Sequence, residues 1–262
     1  MRSYLIQAAL GTTALSAATA DSCTGLVLSG GGSNGAWEVG VLWGFMNYGN
    51  PDDFKYDVVS GISAGSINAL ALAGWAVGKE KEAAQWVSDL WKNLKTSDVW
   101  QNWTLSIAEG LTVKAGLLDN SPLAAFLKNV SKDFTDYGRR VTIAAANVNT
   151  GEFTTFDQHN TSIHDLYKAS VASASIPAVF PPFNWDGVGL FMDGGTINNV
   201  NIAGAVAQCL EVVDDESKIT LDVYICGDQT GEVASEDKSG KTIGNVLRSR
   251  AIHSAHHGEN RI

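Results

Sequence analysis

Asp57-Val58-Val59-Ser60-Gly61-Ile62-Ser63-Ala64-Gly65-Ser66-Ile67-Asn68-Ala69-Leu70-Ala71-Leu72 runs from a short apolar stretch, through a serine flanked by glycines, into a segment rich in Ala, Leu and Ile. Residues 57–60 predict a buried strand and residues 65–77 a buried helix, so Ser63 falls where a strand turns sharply into a helix. Gly61-Ile62-Ser63-Ala64-Gly65 fits the pattern G-x-S-x-G. In such a turn the serine takes a strained backbone, and small neighbours leave its hydroxyl exposed. A bare pentapeptide arises by chance too often to decide anything. Its placement between strand and helix is what the chemistry of an activated hydroxyl requires, and the helix N-terminus adds N–H dipoles that favour negative charge.

The pattern repeats upstream. Residues 24–29 predict a first buried strand and residues 36–48 a helix, with Trp37, Val41, Leu42 and Phe45 at helical spacing. Between them lies Gly30-Gly31-Gly32-Ser33-Asn34-Gly35. A glycine run there lets backbone N–H groups converge on an anion. Three readings compete for it. A dinucleotide fingerprint needs an acidic residue at the end of the next strand, whereas Asp57 begins it; a P-loop needs Gly-Lys-Ser or Gly-Lys-Thr, which is absent. An oxyanion hole needs N–H donors beside a nucleophile, which Ser63 supplies.

Downstream, residues 79–94 predict an amphipathic helix, and Ser121-Pro122 opens another with proline where its missing N–H does no harm. Residues 140–147 and 153–156 read as strands around a turn at Asn149-Thr150-Gly151, residues 163–174 as a helix, and residues 189–192 and 219–226 as further strands. Residues 96–116, with Trp100, Trp103, Leu105, Ile107 and Leu111 on a polar background, are the candidate cap or lid; a packed subdomain is the plainer alternative. Residues 228–240 read as an acidic loop and 241–257 as a terminal helix. Alternating short strands and helices make this an α/β layer fold.

A serine hydroxyl needs a base. None of the five histidines, His159, His164, His253, His256 and His257, sits at a strand end followed by small residues, and each reads as a solvated surface side chain. Asp193 does occupy such a place: it follows the strand 189–192 and precedes Gly194-Gly195. A carboxylate within hydrogen-bond reach of a hydroxyl can take its proton directly. An Asp making an Asx-turn is the structural alternative.

The chain has 262 residues, 45% hydrophobic, with 27 glycines and 5 prolines, enough for one sizeable domain. A net charge of -10 and a pI near 4.9 argue against nucleic acid as a partner and supply no long-range pull toward anionic membranes. Residues 1–20 read as a secretory signal peptide: Arg2, an apolar stretch, then Ala18-Thr19-Ala20. The mature domain is expected at residues 21–262, with no transmembrane helix. Cys23, Cys209 and Cys226 allow one disulfide in an oxidising compartment without saying which, and buried thiols are equally compatible.

Taken in order, Leu26-Val27-Leu28-Ser29-Gly30-Gly31-Gly32 running to Gly35, Gly61-Ile62-Ser63-Ala64-Gly65, and Asp193-Gly194-Gly195 resemble the patatin-like phospholipase family. Ala172-Ser173-Ala174-Ser175-Ile176-Pro177, Phe180-Pro181-Pro182 and Asn198-Asn199 look like further family features, and the resemblance spans about residues 24–204. It implies a three-layer α/β/α sandwich with a mostly parallel sheet. It further implies a catalytic Ser63–Asp193 dyad without histidine, an oxyanion hole from Gly30, Gly31 and Gly32, and hydrolysis of fatty-acyl esters of phospholipids or related lipids. No metal or other cofactor is expected, and the implied partner is a lipid substrate, at a membrane or micelle surface. Asn34 departs from the Arg or Lys common in the family before the last glycine. The alternatives are a secreted storage or lipid-binding protein of the same fold, and an acyltransferase sharing the same residues.

Overall fold

The computed structural model describes residues 20–104 and 115–226. Among these, strands β1 (Cys23–Leu28), β2 (Val58–Gly61), β3 (Arg140–Asn147), β4 (Phe153–Asp157), β5 (Phe183–Trp185), β6 (Gly189–Asp193) and β7 (Ile219–Tyr224) form a single sheet. Its order is β5-β6-β3-β2-β1-β7, with β4 also paired to β3. The pairs β3–β2, β2–β1 and β1–β7 are parallel, while β4 and β6 run antiparallel to β3 and β5 antiparallel to β6. The connecting helices are α1 (Gly35–Tyr48), α2 (Ala64–Ala73), α3 (Glu80–Asn93), α4 (Thr96–Val99), α5 (Ser121–Val130), α6 (Leu166–Ser173) and α7 (Ile202–Cys209).

Strands β1, β2 and β3 are buried on both faces and read as largely apolar runs, whereas the edge strand β7 is only partly buried. Side chains alternate across the sheet, so Leu26, Leu28, Val59, Val141 and Ile143 pack with α1, α2, α3, α5 and α6 in the main core. Val27 and Val58 face the other way, onto Ala205 and Cys209 of α7 and onto Val213. Helices on both faces make the fold a three-layer α/β/α sandwich. A disulfide joins Cys23 to Cys209 across the smaller core, with Cα atoms 5.6 Å apart, and leaves Cys226 as a buried free thiol.

The eight residues of β3 position the site. Along one edge β4 pairs with residues 142–146. On the opposite edge β2 takes residues 140–143 and β6 takes 145–147, so these two strands meet end to end. Ser63, two residues past the C-terminal end of β2, and Asp193, the last residue of β6, are thereby brought together, although they lie far apart in the chain.

Several elements depart from their sequence reading. Of the four apolar residues noted on α1, Leu42 is buried in the core, but Trp37 and Phe45 are 54% and 40% exposed; Val39 and Met46 are its other core residues. The helix is therefore apolar on both faces. The helix expected to reach Val77 ends at Ala73, with Gly74 as its C-cap packed against the Phe134 ring, where a Cβ would approach to 2.4 Å. The helix expected from residue 163 starts at Leu166, leaving His164 in a turn. In the 96–116 stretch, the first turn is helical, and the Trp103 indole donates to the Gly116 carbonyl at 3.0 Å. Leu105, Ile107 and Leu111 lie outside the described residues, as do residues 1–19 of the expected signal and the segments 228–240 and 241–257.

Candidate active site

Ser63 sits between β2 and α2 with φ 51° and ψ −119°, a backbone conformation that side-chain-bearing residues rarely adopt. The flanking glycines explain how the chain tolerates it. A Cβ on Gly61 would lie 2.2 Å from the Gly65 carbonyl oxygen, and one on Gly65 would lie 2.4 Å from that of Leu28. The turn is drawn tight by hydrogen bonds from the Ile62 and Gly65 N–H groups to the Leu28 and Ser29 carbonyls, both 3.2 Å. The N–H of Ser63 donates to Ser173 Oγ at 2.9 Å, and its carbonyl accepts from Ser66 Oγ at 2.6 Å.

Asp193 ends β6 opposite Ala145. Ser63 Oγ donates to Asp193 Oδ2 at 2.7 Å, and Asp193 Oδ1 accepts from the Gly195 N–H at 2.7 Å. Both residues are buried, Ser63 at 6% exposure and Asp193 at 2%. The Asp193 N–H is held by the Ser175 carbonyl at 2.9 Å. Gly194 lies against the Ala144 carbonyl and Gly195 against Asn199, positions where a Cβ would come within 2.4 and 2.6 Å. In chemical terms, a carboxyl oxygen accepts a hydrogen bond from the hydroxyl of a strained serine.

The glycine loop passes beside this pair. The Gly30 N–H donates to the Asn199 carbonyl at 3.1 Å and its carbonyl accepts from Asn199 Nδ2 at 2.9 Å. Gly30, grouped with Gly31 and Gly32 as an oxyanion donor in the sequence reading, is thus engaged by Asn199. Its place in the site is spatial, since a Cβ there would sit 2.3 Å from Asn199 Oδ1 and 3.0 Å from Ser63 Cβ. Gly31 approaches Cys226, leaving a hypothetical Cβ only 2.3 Å from Cys226 Cβ, and Gly32 has φ 60°. Gly35 opens α1 beneath the ring of Trp91 and beside Ala64. Asn34, in place of a cation, ties the loop to the end of the sheet: its Nδ2 donates to the Cys226 carbonyl at 3.0 Å, and the Cys226 thiol donates to the Asn34 carbonyl at 3.3 Å.

Beneath the loop lies a polar cluster with no counterpart in the sequence reading. Asn68 on α2 donates to the Gly35 carbonyl at 3.0 Å and to Glu38 Oε2 at 2.9 Å, and accepts from the Trp91 indole at 2.7 Å. Glu38 is 1% exposed and its Oε1 makes no hydrogen bond. Burial pushes its carboxyl up to about 7, opposed by the neighbouring polar groups of Cys226, Asn68 and Ser29. The Cys226 thiol is likewise pushed upward by burial. A charged residue at a helical position gives no sequence signal that it faces inward here.

His159 is a surface residue paired with Glu211 at 2.7 Å, and His164 is exposed in the turn before α6. His253, His256 and His257 are outside the described residues. Among the described residues no group of three or more His, Cys, Asp or Glu side chains could hold a metal, and no helix is long and apolar enough to cross a membrane.

A strained serine at a strand-to-helix turn, next to a glycine loop in a three-layer α/β/α domain, is the arrangement that presents a serine nucleophile. The family model described as patatin-like phospholipase matches residues 26–206, and the chain belongs to that family. Of solved structures, VipD from Legionella pneumophila is similar at 15% identity with a TM-score of 0.43, over 78% of this chain and 50% of that one. The chain thus spans about half the length of that protein. No curated protein matches the sequence.

Proposed function

We propose that the protein is a serine esterase of phospholipase A type, in which Ser63 is the nucleophile and Asp193 its base, acting on fatty-acyl esters of phospholipids or related lipids. The observation that carries this reading is the 2.7 Å hydrogen bond from Ser63 Oγ to Asp193 Oδ2 at a backbone strained to hold it. Asp193 takes the hydroxyl proton as Oγ attacks the ester carbonyl carbon. The oxyanion is stabilised by the N–H groups of Gly31 and Gly32, each donor contributing about 2.7–4 kcal/mol. Collapse of the tetrahedral intermediate expels the alcohol, which takes the proton back from Asp193. Water then attacks the acyl-enzyme by the same route in reverse, releasing the fatty acid and restoring the serine.

Ser63→Ala and Asp193→Asn are each expected to abolish hydrolysis of a short-chain nitrophenyl ester, while alanine at any of the five histidines leaves it. A histidine variant as inactive as Ser63→Ala would replace the dyad with a triad. Labelling of Ser63 by a fluorophosphonate separates an enzyme from a storage or lipid-binding protein, which stays unlabelled. Product analysis with and without an alcohol acceptor separates hydrolysis from acyl transfer.

The same proposal includes secretion, with residues 1–20 removed as a signal peptide and 21–262 as the mature domain. The Cys23–Cys209 bridge supports it, because such bonds persist in oxidising compartments. N-terminal sequencing of exported protein is expected to begin at Asp21; a start at Met1 removes this part of the proposal.

A further inference from the structure

The strain at Ser63 has a specific counterweight. As the residue capping α2, Ser63 has an N–H with no acceptor inside the helix, and it is buried, so the donor must find a partner elsewhere. That partner is Ser173 Oγ, which passes its own proton to the Ala144 carbonyl at 2.6 Å. Ser173 closes α6 and is fully buried. Ala144 adjoins Ala145, the residue paired with Asp193, and the Ser175 carbonyl holds the Asp193 N–H. One three-residue segment therefore grips the serine by a side chain at one end and the aspartate by a backbone carbonyl at the other.

Two further hydroxyls lie at the same helix junction. Ser170 Oγ donates to the Ser66 carbonyl at 2.8 Å, and Ser66 Oγ donates to the Ser63 carbonyl. The Ser170 bond joins α6 to α2, and Ser66 Oγ also lies 3.4 Å from the Ser170 carbonyl, but neither hydroxyl reaches the N–H of the strained residue. Ser170 and Ser173 share a helix, complete burial and a hydroxyl that donates to a backbone carbonyl, but Ser173 alone also accepts from the Ser63 N–H, so Ser170 serves as the comparison.

We propose that Ser173 is a positioning residue for the nucleophile: its bridging hydroxyl, with the Ser175 carbonyl, fixes the spacing between Ser63 Oγ and Asp193. This rests on the Ser63–Asp193 reading above. Truncating the hydroxyl frees the Ser63 N–H, lets the turn relax toward an ordinary backbone and draws Oγ away from the carboxylate. Displacements of about 1 Å in such geometry lower rates by about 100-fold.

The test compares Ser173→Ala, Ser173→Thr and Ser170→Ala for kcat and KM on a short-chain nitrophenyl ester, urea stability, and hydrogen exchange of the Ser63 amide. Ser173→Ala is expected to lower kcat by about 10-fold or more with KM within about twofold, and to speed Ser63 exchange. Ser173→Thr, which keeps the hydroxyl, retains more kcat than Ser173→Ala even where it is less stable. Ser170→Ala also loses stability, through its one hydrogen bond, yet keeps kcat within about threefold of the parent. Should Ser173→Ala fail to fold, Ser173→Cys, close in size, takes its place in the comparison. A Ser173 variant without the hydroxyl that keeps kcat within threefold, or a Ser170→Ala loss of equal size, overturns the positioning role. Activity surviving Ser63→Ala overturns the underlying dyad instead.

Discussion

Gly30 and Gly32 stand two residues apart and are glycine for different reasons. A Cβ on Gly30 meets Asn199 Oδ1 at 2.3 Å and Ser63 Cβ at 3.0 Å, whereas one on Gly32 meets nothing within 4 Å and the constraint there is φ 60°. Gly30→Ala is expected to fold but to lose about 100-fold in kcat, because Asn199 or Ser63 must move. Gly32→Ala should cost about 1–2 kcal/mol of stability, read from urea melts, through backbone strain. Glu38 carries the pH prediction. Its folded carboxyl titrates near 7 against 4.5 unfolded, so the native state binds the extra proton. Its contribution is fully present below pH 4.5 and is lost as pH rises through 7, a change of about 3 kcal/mol. Glu38→Gln, which cannot ionise, should therefore gain on the parent by up to that amount between pH 5 and pH 8. Parallel unfolding curves for the two proteins over this range would refute the assignment.

At the scale of elements, the sequence pattern located most of the sheet, because strands buried on both faces announce themselves as apolar runs ending in glycine. Residues 140–147 coincide with β3, the readings of β1 and β2 are shifted by one residue at both ends, and that of β6 is one residue short. The three residues of β5, following two prolines, are too few to show a period, and the eight-residue α7 went unread. The latter did carry a signal: Asn201 caps it, its side chain accepting from the Gly204 N–H at 3.0 Å. Asn201→Ala is expected to cost about 1 kcal/mol in urea melts with kcat unchanged. Of the candidate site, the residues in glycine-rich motifs were legible because tight turns demand those residue types. The engagement of Gly30 by Asn199, the inward Glu38 and the Ser173 bridge were not, since each depends on contacts between segments distant in sequence. Ser173 and Asn199 stood in the sequence reading only as parts of family-like segments, with no role attached. The end-to-end meeting of β2 and β6 likewise needs the pairing of β3, which a linear pattern does not encode.

For the whole molecule, the disulfide spans 186 residues, and a loop that long restricts the unfolded chain by about 5 kcal/mol in the chain-entropy account. Replacing Cys23 and Cys209 by serine, or reducing the bond, should lower the melting temperature by about 10 °C or more, followed by calorimetry. A shift below a few degrees would mean that the bridge restrains little. The sequence could count the three thiols but not pair them, because pairing needs the first strand and α7 to be neighbours. This arrangement also sets a timetable. A ribosome delivers Cys23 186 residues ahead of Cys209, so the first thiol must wait while most of the sheet is threaded out. The correct mate then emerges before Cys226, and order of synthesis favours the native link over that pairing.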